Sequence, residues 1–436
     1  MRDLVVLMAM MVLVPLALRS TFIAYLLWGW AGLIALPTYV FSYMGRVPYV
    51  QVFALLALTL VLLRQDKQQI AFKLNRTLVT FLIFGIHALF VASFAYDGLP
   101  RNWEIFSDMT KTILYCMLMP MVVATRLRIH SLIIVIVLAL SFHGLLEGLK
   151  FLVSAGGYNS RGVPKFGDNN YFAMAMGTLV PLQLYLVQYS KNKWVRRGFA
   201  GVLVLTVLAV ISTNSRGGLL TLFALALWVI LNTKRKAAGV ATLIFCGALV
   251  VALAPASWSE RMNTMKSAED DTSFMSRVAV WKKSTAIALE HPVLGGGFYA
   301  VQSPPTFDKF RSAQGLMGFL TTPDPGAFAA HSIYFQVMGD MGFVGFFIYM
   351  FILANAFYTR VEIKRLTKVL GSSAEWAANL SDMLAASLIA FMVGGALLSA
   401  AYLEIPFLIF CLLEVTKQNL LRATKAVSSA SKVVAD

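Results

Sequence analysis

The sequence predicts an all-α polytopic membrane protein with about 12 transmembrane helices, and either 12 or 13 would fit. Of its 436 residues, 58% are hydrophobic and 13% are charged, and the mean hydropathy is +0.72. Soluble domains contain about 45–50% apolar and about 25% charged residues. Apolar runs long enough to cross a hydrocarbon core of about 30 Å recur along the whole chain. The runs are continuous rather than alternating, which argues against a β-barrel.

The apolar runs predict the helices in chain order. They cover 4–18, 20–36, 48–63, 77–95, 109–124, 130–153, 169–189, 198–213, 217–231, 238–254, 330–358, 382–400 and 402–416. A turn at Arg19 would make the first two runs separate crossings and place the N-terminus outside. One interrupted crossing would place both termini inside, and we favour that reading. The basic start at Arg2 is weak for a signal peptide, so we expect an uncleaved first span.

Basic residues cluster in every second connection between the runs, which places those connections in the cytoplasm. They are Arg64, Lys67, Lys73, Arg76, Arg126, Arg128, Lys191, Lys193, Arg196, Arg197, Lys234, Arg235, Lys236, Arg360, Lys364, Arg365 and Lys368. This pattern accounts for the net charge of +16 without a nucleic-acid partner. The chain then divides into N-terminal membrane helices (1–254), a long periplasmic loop with an amphipathic helix (255–329), C-terminal membrane helices (330–416) and a cytoplasmic tail (417–436).

The sequence contains no recognisable cofactor or metal motif. Cys116, Cys246 and Cys411 all lie in apolar runs, so we expect neither a disulfide nor a metal cluster. Walker, HExxH and nucleophile-elbow patterns are absent from the sequence. We therefore expect a site that works without metal or cofactor.

Two arginines lie in short outer connections, where positive charge is unexpected. Arg216 is at the tip of the turn STNSRGG, between two apolar runs, so an anion is expected to pair with it. The alternative is an interfacial arginine that reaches lipid phosphate. Arg161 lies in a similar place, followed by Lys165 and by Asn170 at an expected helix start.

The amphipathic segment 273–290 supplies Arg277, Trp281 and Lys282. It could lie flat on the outer leaflet. Alternatively, its arginine could point into a cavity between the membrane and the loop. Arginine donates in pairs to phosphate oxygens, so several arginines directed at one place would bind a diphosphate.

His331 begins an apolar run at the outer surface, where a lipid-borne substrate would meet water. A neutral imidazole near pH 7 is a competent general base for a hydroxyl group. A structural histidine at a helix start is the alternative. Four acids, Asp97, Asp108, Glu147 and Glu404, are expected on the same side, and the sequence assigns them no role.

Four segments together resemble the O-antigen ligase/polymerase family of bacterial membrane glycosyltransferases. They are RGVPKFGDNNYFAMAMGTLVPL, TNSRGG, SRVAVWKKSTAIALEHPVLGGGF and AHSIYFQVMGDMGFVGF, and they span 161–345. Each motif is loose, but their order, spacing and common side are specific. The N-terminal segments MRDL, PLALRSTF and LLWGWAGL resemble the branch of exosortase-associated O-glycosylation ligases.

The resemblance implies a GT-C-type enzyme of the bacterial inner membrane with its active site on the periplasmic side. Such an enzyme moves a glycan from undecaprenyl diphosphate to an acceptor hydroxyl, which in ligases belongs to a lipid A–core sugar of lipopolysaccharide. The functional arginine pair and histidine of the family match Arg216, Arg277 and His331, and Arg161 matches a further arginine less securely. The arginines would stabilise the leaving diphosphate and His331 would accept the proton, inverting the anomeric carbon.

We further expect Lys165, Asn170, Trp281 and Lys282 to contact substrate, and the protein to act as a monomer among membrane lipids. An O-antigen or exopolysaccharide polymerase and a protein O-oligosaccharyltransferase would use the same donor and differ in acceptor. A transporter of lipid-linked glycans would place polar residues near the midplane of the membrane. Here the polar residues crowd one face, which favours an enzyme.

Overall fold

The computed structural model describes residues 2–40, 42–96, 100–232, 272–324 and 326–435, and all regular structure in them is helical. The helices are α1 Arg2–Arg19, α2 Thr21–Ile34, α3 Tyr49–Leu62, α4 Arg76–Ser93, α5 Pro100–Val122, α6 Arg126–Val153, α7 Asn169–Tyr189, α8 Lys193–Ser212, α9 Arg216–Asn232, α10 Thr272–Glu290, α11 Pro304–Lys309, α12 Ile333–Leu370, α13 Glu375–Gly395 and α14 Glu404–Ala435. The predicted all-α class is confirmed for this part of the chain. The predicted run 238–254 lies outside the described residues.

Several of these helices have the length and composition of membrane spans. Four helical stretches of the described residues qualify, namely Arg76–Ser93, Arg126–Val153, Lys193–Ser212 and Ile333–Gly395, the last of which contains α12 and α13. Shorter apolar helices are Thr21–Ile34, Tyr49–Leu62 and Arg216–Asn232. Helix length and composition therefore indicate a multi-pass membrane protein. The number of crossings, 12 or 13, stays a prediction.

The first two apolar runs form a helical hairpin. Helix α1 ends at Arg19, and the Ser20 side chain caps the next helix by accepting from the Ile23 N–H. Ser42, which follows α2, donates its N–H to the Asp3 carboxylate at the start of α1, over 3.2 Å. The helices therefore run antiparallel, as in the alternative with a turn at Arg19, and the interrupted single crossing that we favoured does not form. Ser20 starts a new helix, and the contact between Ser42 and Asp3 shows that this helix returns along α1.

Helices α7 and α8 pack on each other and run in opposite directions, as do α7 and α13, whereas α6 packs on α8 in the same direction. We call the end that carries Asn169, Ser212 and Ile333 the site end, and the end that carries Arg76 and Arg126 the basic end. Ion pairs hold the basic end together. Arg76–Glu362 (2.7 Å) joins α4 to α12, Lys417–Glu362 (3.4 Å) joins α14 to α12, and Arg128–Asp66 (2.6 Å) joins α6 to the connection after α3. Helix α14 continues through residue 417, so the segment predicted as a tail begins as a direct extension of this helix.

At the site end, the triple glycine 295–297 docks onto a kink in α12. Gly342 breaks the helix with φ 67° and ψ −174°, a conformation that essentially only glycine adopts. The N–H groups of Gly296 and Gly297 donate to the carbonyls of Gly339 and Asp340, over 2.9 and 3.0 Å. A Cβ on Gly295 would lie 2.5 Å from the Gly342 nitrogen. The two glycine-rich motifs therefore fit each other at backbone contact distance.

A buried carboxylate fixes this junction. Asp340 is 1% exposed and accepts from the Ala300 N–H over 3.1 Å and from the Tyr402 hydroxyl over 2.9 Å. It thereby joins the segment after the triple glycine, helix α12 and the connection between α13 and α14. The junction also holds α10 against the first turns of α12. This arrangement positions α10 and the start of α12 relative to each other.

The glycine junction leads to a stability prediction. Gly342→Ala is expected to destabilise the protein by at least about 2 kcal/mol, because a Cβ there meets the Pro292 carbonyl oxygen at 2.6 Å in a backbone conformation that alanine avoids. Thermal unfolding in detergent measures the loss. Gly198→Ala is the matched control, because nothing lies within 4 Å of its Cβ, and its midpoint should be unchanged or slightly raised. Equal midpoints for the two variants would contradict the proposed fit.

Candidate active site

His331 lies immediately before α12 and is held on both sides by its neighbours. Its backbone N–H donates to the Ser399 hydroxyl over 2.7 Å. The Trp281 indole N–H donates to the Ala330 carbonyl over 2.6 Å, and the indole ring stacks on Phe335 with 4.8 Å between ring centroids. His331 has φ 46°, which is uncommon for a residue with a side chain. Trp281 therefore positions the histidine from α10, through the residue that precedes it.

Burial lowers the pKa of the His331 imidazole, Arg277 on α10 lowers it further, and Asp168 opposes the shift. Arg277 and Asp168 are therefore near enough to act on the imidazole electrostatically. Since the unperturbed pKa of histidine is about 6.5, a lowered value keeps the ring neutral at pH 7. A neutral ring can accept a proton.

The start of α7 connects His331 to the turn that carries Arg216. Asp168 caps α7 by accepting from the N–H groups of Asn170 and Tyr171, over 2.7 and 2.9 Å. Asn170 in turn accepts from the Ser215 hydroxyl over 2.7 Å. Arg216 follows Ser215, begins α9 and is exposed. Asn170 thus fixes the turn beside Arg216, and the two predicted site residues lie side by side.

Arg161 is exposed and lies on a segment fixed to the same helix end. The Ser160 N–H donates to the Ser212 carbonyl at the end of α8, over 2.9 Å. The Glu147 carboxylate accepts from the hydroxyls of Ser160 and Tyr158, the latter over 2.9 Å. Glu147 therefore has a structural role here, since it holds the segment that leads into Arg161.

Lys165 lies elsewhere, in a separate pocket. Its Nζ pairs with the Glu404 carboxylate at 2.6 Å and donates to the Gly32 carbonyl over 3.0 Å. The pocket has a volume of about 270 Å³ and is lined by Trp28, Gly29, Gly32, Leu33, Val50, Asp108, Lys111, Thr112, Tyr115, Lys165, Glu404 and Leu408. His331, Arg216 and Arg277 are not among these residues. A contact from Lys165 to the substrate would have to be made in this pocket.

Lys282 is buried within the protein. It is 4% exposed, and its Nζ donates to the Leu320 carbonyl over 2.7 Å, while its predicted contact with substrate stays a prediction. Lys283 donates in the same way to the carbonyls of Arg311 and Ala313. Both lysines anchor the segment 311–320. Helix α10 is mostly enclosed by protein from Val278 to Ala288, so it does not lie flat on a membrane surface.

Several neighbours of His331 were not singled out from the sequence. The Tyr171 hydroxyl donates to the Ser399 carbonyl, and the hydroxyl of the same serine accepts from His331. Ser399 lies in an apolar run, so hydropathy concealed it. Asp168 directly precedes Asn169 and Asn170, a position typical of a helix cap, and this pattern could have indicated it. Within the described ranges, no three His, Cys, Asp or Glu side chains come together as metal ligands, and Asp97 lies outside those ranges.

Two protein families match separate parts of the chain. Residues 201–350 match the O-antigen ligase family. Residues 1–191 match a family of unknown function, DUF5935. No curated protein matches the chain. Arg216, Arg277 and His331 fall within the first match, whereas Arg161, Lys165 and Asn170 fall within the second.

The buried position of Lys282 predicts a structural role. Lys282→Met leaves the Leu320 carbonyl without its donor, which costs about 1–3 kcal/mol in a buried site. Trypsin cleavage after Arg311, in the anchored segment, should then become about 5- to 30-fold faster. Lys309→Met removes an exposed pair with Glu290 and serves as the control, with little change expected. Wild-type cleavage kinetics in Lys282→Met would show that the amine does not anchor this segment.

Proposed function

We propose, from the O-antigen ligase domain that the chain carries over residues 201–350, that the protein is a membrane glycosyltransferase of the O-antigen ligase type. Its donor is a glycan on undecaprenyl diphosphate, and its acceptor is a hydroxyl group of a lipid A–core sugar. The reaction takes place at the periplasmic face of the bacterial inner membrane, which corresponds to the site end. The multi-pass helical architecture supports a lipid-linked donor.

One observation carries the proposal, which is the position of His331 beside Arg277. Burial and the arginine lower the pKa of the imidazole, so it is neutral at pH 7 and able to accept a proton. The same arginine can donate to phosphate oxygens in pairs. Transfer of a glycan from a diphosphate to a hydroxyl group requires a base for the hydroxyl proton and a cation for the leaving diphosphate, and this arrangement supplies both.

The reaction follows from this arrangement. The acceptor hydroxyl oxygen forms a bond to the anomeric carbon while the bond from that carbon to the diphosphate oxygen breaks. His331 takes the hydroxyl proton, and attack from the side opposite the leaving group inverts the anomeric carbon. Arg216 and Arg277, with Arg161 on the segment that is hydrogen-bonded to the end of α8, stabilise the charge that develops on the diphosphate. The protein residues thereby supply the stabilisation that a metal ion provides in other transferases.

The acceptor distinguishes this proposal from its nearest alternatives. A polymerase would transfer to a growing glycan, and a protein O-oligosaccharyltransferase would transfer to a serine or threonine hydroxyl. Both would use the same histidine and arginines. The histidine and arginines support a diphosphate-linked donor, while the lipid A–core acceptor is what the resemblance to O-antigen ligases implies.

Transfer in proteoliposomes tests the role of His331. With lipid-linked oligosaccharide as donor, the wild type should glycosylate lipid A–core, and His331→Ala should lower kcat by about 10²–10⁴-fold, the usual contribution of a general base. His291→Ala, on a partly exposed loop histidine, is the matched control and should stay near wild type. Near-wild-type transfer by His331→Ala would exclude the proposed base. Glycosylation of an acceptor peptide in place of lipid A–core would show that the enzyme is a protein O-oligosaccharyltransferase.

The influence of Arg277 on His331 predicts a pH effect. Activity should fall on the acid side as the imidazole becomes protonated. Removing the positive charge in Arg277→Gln raises the pKa of His331, so the acid limb of the kcat profile should move to higher pH. Arg277→Lys keeps a charge and should keep the limb close to its wild-type position. An acid limb that stays in place in Arg277→Gln would mean that another group titrates.

A further inference from the structure

Arg101 lies at a position of its helix where a positive charge does not stabilise the helix. It lies in the first turn of α5, where the helix dipole disfavours a positive charge. Glu104, three residues further on, could pair with it on the helix surface. The guanidinium instead lies over the ring of Tyr299, 4.2 Å from its centroid. Arg101 is exposed and forms no ion pair with any residue that the structure describes.

Tyr299 is held rigidly under this arginine. It has φ 58°, a left-handed conformation that is uncommon for a bulky residue and is concentrated at functional sites. The next residue, Ala300, donates its N–H to the buried Asp340 carboxylate. The preceding residue, Phe298, donates its N–H to the Asn102 side chain over 2.6 Å. Because Asn102 follows Arg101 in α5, the arginine and the tyrosine are fixed relative to each other.

The pair lies next to the network that holds His331. Arg101 is near enough to act electrostatically on Tyr171 and Tyr299. The Tyr171 hydroxyl bonds to Ser399, and Ser399 bonds to the His331 backbone. Arg277 acts on the His331 imidazole itself. Arg101 and Arg277 therefore lie near different parts of the network formed by Tyr171, Ser399 and His331.

We infer that Arg101, stacked on Tyr299, forms an anion subsite of this active site and binds a phosphate or carboxylate group of a substrate. Stacking on a ring leaves the edge of the guanidinium free to donate in pairs to such a group. The fixed tyrosine reduces the entropy lost on binding. The inference rests on the proposed transfer reaction. It gives residues 1–191, which match a family of unknown function, a direct part in substrate binding.

Two substrates could supply the anion, and direct binding to the purified full-length protein separates them. One probe is undecaprenyl diphosphate and the other is phosphorylated lipid A–core, both in detergent. Arg101→Gln should weaken one of them at least about tenfold, the loss expected for a charge-assisted hydrogen bond. Weaker undecaprenyl diphosphate binding assigns the subsite to the donor. Weaker lipid A–core binding assigns it to the acceptor.

Conservative variants and transfer kinetics distinguish binding from a structural role. Arg101→Lys keeps the charge but loses the paired donors, so it should fall between wild type and Arg101→Gln. Tyr299→Phe keeps the ring and should bind as wild type, whereas Tyr299→Leu should resemble Arg101→Lys. In the transfer assay, the KM for the assigned substrate should rise more than kcat falls. Arg311→Gln, an exposed loop arginine paired with Asp308 and Asp324, is the control and should change neither affinity.

The result that overturns the inference is wild-type affinity of Arg101→Gln for both probes. This measurement does not depend on turnover. If the wild type transfers no glycan but Arg101→Gln still binds a probe at least about tenfold more weakly, the proposed function fails while the subsite stands. If the wild type transfers glycan and Arg101→Gln binds and transfers equally well, the subsite fails while the proposed function stands. A lower unfolding midpoint in Arg101→Gln, with affinity unchanged in Arg101→Lys and Tyr299→Leu, would also reject the subsite.

Discussion

The buried carboxylate of Asp340 is the contact on which the site end depends. It lies beside the kink that Gly342 introduces into α12, and it accepts hydrogen bonds from Ala300 and Tyr402. A buried carboxylate is costly unless it is hydrogen-bonded, so these partners are held in place as firmly as the carboxylate itself. Through them, one side chain joins the segment 272–324, helix α12 and the connection between α13 and α14. Tyr299 and Ser399 lie on these parts of the chain, and His331 lies immediately before α12.

This junction attaches the segment 272–324 to the helical bundle. Its glycines contact the backbone of α12 directly, and its helix α10 packs along the first turns of α12. Trp281 and the two buried lysines of α10 then bond to backbone carbonyls on either side of the helix. The segment 272–324 is therefore built into the bundle. Because α10 is fixed in this way, Arg277 lies near enough to act on the His331 imidazole electrostatically.

The sequence predicted the helices well because hydropathy is a local property, and each apolar run outside 238–254 contains a helix in the structure. It also placed Arg161, Arg216, Arg277 and His331 at one end of the bundle. It gave the α1–α2 hairpin only as the alternative, since a serine cap sets a helix start but not the direction of packing. It singled out Lys165 and Lys282 as substrate contacts because they are basic and near the motifs, and it did not predict their contacts within the protein. Their partners are backbone carbonyls and Glu404, distant in sequence, which a residue pattern cannot indicate.

The central claim is that one site, centred on His331 and Arg277, receives the diphosphate of a lipid-linked glycan. An experimental structure with undecaprenyl diphosphate bound tests it most directly. The account predicts phosphate oxygens within hydrogen-bonding distance, about 2.7–3.2 Å, of the Arg277 and Arg216 guanidinium groups, with the attached glycan end facing His331. Two observations together would contradict this prediction. They are a diphosphate bound in the pocket of Lys165 and Glu404, and guanidinium groups of Arg216 and Arg277 that point away from it.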